Sequence, residues 1–340
     1  MTRGTAGDTL SRRSFFGRSA SALAALPMVA STHSGLSCEP AGKPLSPGAD
    51  AGTTPDITAQ TDAAHHLAID VEINGKGPFR FVVDTGADKS VIATDVAQAL
   101  NLVSGDGVLV EGIVRTVPAV TVGLERLSFR QFSRTQLRVA VLPRAMLGAD
   151  GYLGLDVIDG YLVTFDFARG VLRIEETNSN FAIYMEQPRL ARVPMYGAAG
   201  HLRSINCNVD GIEATAFIDT GAEVSMGNPE LLAALSRATP VFTKRAVVPL
   251  TGVTGGLITG EVVPILNTKL ASLRFYGGNV VIADLQIFDL WGLSKTPALL
   301  IGMNYLRTFS SVAIDYSRKE AKFKLAEARN DRVAGGDNSA

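Results

Sequence analysis

One stretch of this chain occurs twice, and that repetition constrains the fold more than any local propensity. Phe81-Val82-Val83-Asp84-Thr85-Gly86-Ala87-Asp88-Lys89-Ser90-Val91-Ile92 returns as Ala216-Phe217-Ile218-Asp219-Thr220-Gly221-Ala222-Glu223-Val224-Ser225. The aspartates lie 219 − 84 = 135 positions apart, and Ser90 and Ser225 each fall six residues after their aspartate. A repeat on this scale reports a supersecondary unit used twice. At 340 residues and 46% apolar content, the chain can bury a core for each copy.

The flanking sequence supports the same division. His66 to Ile73 alternates apolar and polar residues, as a half-buried strand does. Asn74-Gly75 supplies a hairpin turn, and Pro78 to Val83 a second strand running into Asp84. A short helix follows from Thr94, the expected N-cap, and then several short strands with glycine breaks lead to Gly151-Tyr152-Leu153-Gly154-Leu155-Asp156. A closing hairpin pairs Leu162–Phe167 with Val171–Ile174. The second copy repeats each step: Ile205–Val209, the turn Asp210-Gly211, Ala214–Ile218, and a helix announced by Asn228-Pro229-Glu230. Leu300-Ile301-Gly302 and a last hairpin, Val312–Tyr316 with Ala321–Leu325, complete it. The expected fold is mostly β, with two small barrel-like lobes carrying short helices.

Asp-Thr-Gly-Ala with its following Ser, and a later apolar-apolar-Gly, resembles the retropepsin-like aspartic peptidases, in particular their bacterial branch. The resemblance covers roughly residues 64–176 and 195–326. It implies one active site made from two lobes, an intrachain pseudo-dimer in which Asp84 and Asp219 face each other as catalytic residues. It further implies that Thr85 and Thr220 hydrogen-bond across the lobe junction, and that Gly154 and Gly302 pack beneath the active-site loops. Glycine at 86 and 221 lets backbone N–H groups approach the carboxylates without a Cβ in the way.

Two carboxyls about 3 Å apart share one proton, so one can activate water while the other protonates the substrate carbonyl. Peptide hydrolysis then needs no metal and no cofactor, and none is expected here. Ala87 and Ala222 stand where pepsin-like relatives carry Ser or Thr. One fewer hydrogen bond to the ionised carboxylate predicts activity at milder pH than a pepsin. Flap candidates are Val110 to Val114, with Gly112 and Ile113, and the glycine-rich Leu250 to Gly256, with Gly252 and Val253; plain hairpin turns are the competing reading of both.

The amino terminus reads as a targeting segment. Arg12-Arg13 precede an aromatic pair and a short apolar run, which resembles a twin-arginine export signal over residues 1–31 and implies a periplasmic or otherwise exported protein. A flexible spacer is expected over 32–63, lobe one over 64–178, a linker over 179–194, lobe two over 195–326 and a disordered tail over 327–340. Lipidation of Cys38 is disfavoured because Gly35 stands where an aliphatic residue belongs. No later stretch reads as a membrane span. A net charge of −1 without a basic cluster argues against nucleic acid. Two cysteines and four histidines, none at zinc-ligand spacing, give no metal site. The expected partner is a protein or peptide substrate, met by a monomer with internal pseudo-two-fold symmetry. A non-catalytic periplasmic binding or assembly protein using the same cleft is the alternative, and pairing of lobes between chains a further one.

Overall fold

The computed structural model describes residues 57–58, 60–61, 67–177, 190–197, 202–238 and 245–325. The export signal, Cys38, most of the spacer, the first part of the linker and the tail lie outside the described residues. Two short strands, β1 (Ile57–Thr58) and β2 (Gln60–Thr61), fall inside the expected spacer, each held by backbone pairing to a later strand.

Lobe one forms largely as its patterning demands. In β3 (Leu67–Ile73) Asp70 and Glu72 face solvent while Ile69, Val71 and Ile73 are buried. Asn74 and Gly75 take φ of 52° and 75° and turn the chain into β4 (Lys76–Val83), the left-handed pair that tight hairpins need. Next, β5 (Val91–Ala93) runs straight into α1 (Thr94–Ala99). Thr94 is therefore not the cap. Ala93 holds that position in extended geometry, its N–H still donating to Asp150 O at 2.8 Å as a strand residue, and its methyl group has no atom with which to cap the helix.

Where short strands broken by glycine were expected, three long ones occur: β6 (Ser104–Glu111), β7 (Thr116–Phe129) and β8 (Phe132–Leu142). Register slips between Ser104 and Gly107, and Gly123 has open space where a Cβ would be, so these glycines bend or thin the strands without ending them. After α2 (Arg144–Leu147), β9 (Gly151–Leu153) runs into α3 (Leu155–Ile158). It lies parallel to β4 and antiparallel to β5. Pairing of β7 back onto β3, Ile73 opposite Leu127, closes a barrel of β3, β4, β9, β5, β8 and β7. The hairpin β10 (Tyr161–Asp166) and β11 (Val171–Glu176) completes the lobe.

Lobe two starts earlier than the sequence suggests. Residues 190–194 of the expected linker form a strand, β12 (Leu190–Pro194). The hairpin β13 (Arg203–Val209) and β14 (Ile212–Ile218) turns at Asp210 and Gly211, with φ of 47° and 92°. Beyond β15 (Met226–Gly227), α4 (Pro229–Ala238) is capped by Asn228, whose Oδ1 accepts the Leu231 N–H at 3.0 Å. The flanking hairpin is β16 (Val247–Leu250) with β17 (Ile258–Pro264). Unlike the long strands of lobe one, the chain then breaks into β18 (Asn267–Leu270), β19 (Leu273–Tyr276) and β20 (Asn279–Ile282). Gly277 and Gly278, at φ of 70° and 138°, make one of these breaks. After α5 (Gln286–Leu290), β21 (Ala298–Ile301) inserts parallel to β14 and antiparallel to β15, as β9 does between β4 and β5, and leads into α6 (Met303–Leu306).

The closing hairpin of lobe two, β22 (Phe309–Asp315) and β23 (Glu320–Leu325), does not stay within its lobe. A six-stranded sheet in the order β1-β11-β10-β22-β23-β12 joins both lobes. At its centre β10 and β22 run antiparallel, Leu162 opposite Asp315 and Asp166 opposite Ser311. Val163, Phe165, Val312 and Ile314 are all buried there. Each such side chain is worth about 1.5–3 kcal/mol in burial, so apolar packing sets the relative position of the lobes. Among the described residues, no helix is long and apolar enough to cross a membrane.

Candidate active site

The two Asp-Thr-Gly turns leave β4 and β14 at the lobe junction, and the bonds around one recur around the other. Asp84 N–H donates to Leu153 O and Asp219 N–H to Ile301 O, both at 3.0 Å. Gly86 N–H donates to Asp84 Oδ1 and Gly221 N–H to Asp219 Oδ1, both at 2.8 Å. Between the turns, Thr85 Oγ1 donates to Ile218 O at 3.1 Å and Thr220 Oγ1 to Val83 O at 2.8 Å. Each threonine oxygen also accepts the other's backbone N–H, at 3.0 and 3.2 Å. Both threonines are buried, so these bonds act where water does not compete.

Glycine is required at 86 and 221 for a reason beyond the approach of its own N–H. A Cβ on Gly86 would lie 2.7 Å from Asp219 Cγ, and one on Gly221 would lie 2.5 Å from Asp84 Cγ. Each glycine makes room for the opposite lobe's carboxylate. The two acids are thereby brought together at the floor of a cavity, Asp219 only 7% exposed and Asp84 half-buried.

Burial, and next the negative charge of Asp219, hold the Asp84 carboxyl well above the usual carboxylate range. A hydrogen bond with Asp219 pushes the same way, while the N–H groups of Gly86 and Ala87 pull it down. The pair therefore keeps a proton over a pH range in which isolated carboxylates have lost theirs, and it titrates as a unit. Ala87 has no hydroxyl to add, and its backbone N–H is its contribution to Asp84. Its carbonyl accepts from Leu155 N–H, as the Ala222 carbonyl accepts from Met303 N–H, both at 2.8 Å.

Beneath each turn lies a serine-centred brace. Ser90 Oγ donates to Asp156 Oδ1 at 2.7 Å and accepts from Gly154 N–H at 3.0 Å. Ser225 Oγ donates to Asn304 Oδ1 at 2.7 Å and accepts from Gly302 N–H at 2.9 Å. A Cβ on Gly154 would come within 2.7 Å of Ala87 O, and one on Gly302 within 2.8 Å of Ala222 O. Backbone passes backbone closely at both glycines.

The cavity above the two carboxyls is about 710 Å³, within the range of ligand pockets. Gly112, Ile113, Gly252 and Val253 all line it. Both flap candidates are hairpin tips, between β6 and β7 and between β16 and β17, and both line the cavity. The tips also clasp each other. Arg115 Nε–H donates to Thr254 O at 2.9 Å, and Thr254 Oγ1 donates to Arg115 O at 2.8 Å. The glycines of the second flap form a bed for this arginine. A Cβ on Gly255 would lie 2.7 Å from an Arg115 Nη, and one on Gly256 3.1 Å from Arg115 Cδ.

Several wall residues were not singled out from sequence. Ile287 and Trp291 enter from α5 and its C-terminal end, where Trp291 stacks on Phe217 with ring centroids 4.1 Å apart. Gln286 Nε2 donates to Thr116 Oγ1 at 2.5 Å and ties that helix to the base of the first flap. No periodic pattern marks these positions; the single tryptophan of the chain beside Phe288 was the available signal.

A family model described as Aspartyl protease matches residues 69–157, from β3 through α3, and includes Asp84, Ser90, Gly154 and Asp156. The match ends before the second Asp-Thr-Gly stretch. No curated protein matches the chain. The match supports a peptide hydrolase in general terms.

Proposed function

We propose that this chain is an exported aspartic endopeptidase whose dyad takes Asp84 from one retropepsin-like lobe and Asp219 from the other. The observation that carries the reading is the meeting of these two carboxyls, each cradled by its own Gly N–H, on the floor of a cavity roofed by two flaps. The ionised member takes a proton from a water molecule as that water attacks the peptide carbonyl carbon. The protonated member gives its proton to the carbonyl oxygen, producing a neutral tetrahedral diol. Collapse then breaks the C–N bond as the amine nitrogen takes up a proton, and the acid and amine products leave. The threonine bridge and serine braces hold the carboxyls still, which is what a step sensitive to sub-ångström placement requires. Closed flaps exclude bulk water from the floor.

Export by the twin-arginine route is the proposal that the Arg12-Arg13 segment supports, and a monomer is the proposal that the shared six-stranded sheet supports. The deciding experiment incubates an unfolded protein mixture with the mature chain across a pH series, beside Asp84→Asn and Asp219→Asn proteins. Cleavage by the parent and its loss in both variants is the expected result. A folded parent that cleaves nothing at any pH, or a variant that cleaves as well as the parent, overturns the reading.

A further inference from the structure

Besides the dyad, the described cavity wall carries three charged side chains: Lys89, Glu111 and Glu223. Glu111 is half-buried at the root of the first hairpin tip and already has a partner there, so Lys89 is the exposed charge of that half. Lys89 and Glu223 are exposed, and each comes from the loop just past its lobe's Asp-Thr-Gly turn. The repeat is broken at these positions. The counterpart of Lys89 is Val224 (224 − 89 = 135), an apolar residue in the same wall. The counterpart of Glu223 is Asp88 (223 − 88 = 135), which does not line the cavity. The rest of each half is uncharged: Val91, Met146 and Tyr152 stand on one side, and Met226, Trp291, Thr251, Asn279 and Asn304 on the other. Uncharged walls do not tell an acidic flank from a basic one, whereas the unlike hairpin tips, Glu111-Gly112-Ile113 over one half and Thr251-Gly252-Val253 over the other, offer a peptide backbone different partners in its two directions. The dyad's own charge sits on the pseudo-axis and favours neither half.

We propose that Lys89 and Glu223 give the cleft an electrical polarity. The preferred substrate is a peptide with an apolar centre, an acidic side chain on the half lying against lobe one and a basic side chain on the half lying against lobe two. This rests on the peptidase reading for its substrate class, but it concerns recognition alone. Reversing such a peptide replaces attraction with repulsion at both ends. Even solvated charges then discriminate by about threefold or more at low salt, and less as salt screens them.

Binding can be separated from turnover. Trp291 lines the cavity and is the single tryptophan of the chain, so its fluorescence reports occupancy. Two peptides share one apolar centre, the first flanked by acid then base along the chain, the second by base then acid. Each is titrated into Asp84→Asn protein, with Asp219→Asn as a second inactive form. One peptide should bind at least about threefold tighter, with the preference shrinking in high salt. The Lys89→Glu, Glu223→Lys double variant should invert it, and because both side chains are exposed the swap leaves the core untouched. Equal binding of the two peptides, binding of neither, or a preference that survives the swap overturns the proposal. Cleavage by the parent is scored separately. A preference in binding without any cleavage keeps the polarity and removes the peptidase; cleavage with equal binding does the reverse.

Discussion

Thr85 and Thr220 are each donor and acceptor to the other's loop: each hydroxyl gives its proton to a carbonyl of the opposite lobe and accepts the other threonine's N–H. One substitution therefore removes more than one bond. Thr85→Ala deletes the donor to Ile218 O and leaves the buried Thr220 N–H without an acceptor. Orphaning buried groups costs about 1–3 kcal/mol each, so a loss of about 2 kcal/mol or more is expected in a denaturant melt. Peptide cleavage should fall by about 100-fold because the dyad loses its register. Thr85→Ser keeps the hydroxyl and should retain most of both. If Thr85→Ala melts and cleaves like the parent, the bridge is not what holds the turns.

Gly86 and Gly221 make a sharper prediction, because the obstruction would come from the opposite lobe. Gly86→Ala places a methyl 2.7 Å from Asp219 Cγ, inside contact distance, so the Asp219 carboxylate must turn away or the lobes must part. Cleavage should drop by about 100-fold or more. Gly123→Ala in β7, whose added methyl meets nothing, is the matched control and should leave cleavage unchanged. Equal activities for the two variants would refute the close approach.

The repeated Asp-Thr-Gly stretch, the hairpins at Asn74-Gly75 and Asp210-Gly211, and the Asn228 cap were legible because each is a local signal with a local cause. The parts that were not legible depend on long-range pairing. Nothing in Leu190–Pro194 distinguishes a linker from an edge strand until β23 is beside it. Likewise β10 and β22 read as hairpin strands in their own lobes, and only their mutual pairing shows the shared sheet. Glycines misled in one place and informed in another. Glycines between Ser104 and Leu142 suggested strand breaks that do not occur, whereas Gly255 and Gly256, at φ of 72° and 87°, both turn the chain and leave room for the Arg115 side chain lying against them. At the site, the repeat singled out Asp84 and Asp219, which the fold brings to one cavity, but Trp291 follows a helix whose position no spacing reveals.

The raised Asp84 carboxyl carries a definite sign in pH dependence. The folded chain binds a proton that the unfolded chain, with an ordinary carboxyl near 3.8, releases. The stability linked to that proton is fully present below the ordinary value and is lost as pH rises through the raised one. Asp84→Asn should therefore melt higher than the parent at neutral pH, with the gap closing as the pH falls toward 3.8. Burial also raises Asp156, so Asp156→Asn should show a gap of the same sign, and Asn304 already fills the matching place in lobe two. A gap that widens on acidification would contradict the assignment. Cleavage follows the same proton, and should extend above the working range of a pepsin. An optimum near about pH 2 would argue against this.

The flap clasp predicts how the cleft opens. Arg115 and Thr254 exchange two hydrogen bonds, Thr254 is fully buried, and the missing Cβ of Gly112 leaves the space that the Thr254 side chain fills. On the peptidase reading, entry of a peptide breaks both bonds and parts the tips. Thr254→Val keeps the shape but removes the donor to Arg115 O, so amide exchange should quicken in both tips, residues 112–115 and 251–257, and not in the barrel of lobe one. Removing a clasp that closes the empty cleft should also speed peptide association. A looser roof over the bound peptide should slow the chemical step at the same time, so kcat and KM change together. Arg115→Lys supplies a charge without the Nε–H donor and should behave like Thr254→Val. Faster exchange in only one tip would mean that the flaps move independently, and that their contact in the closed state does not govern access to the dyad.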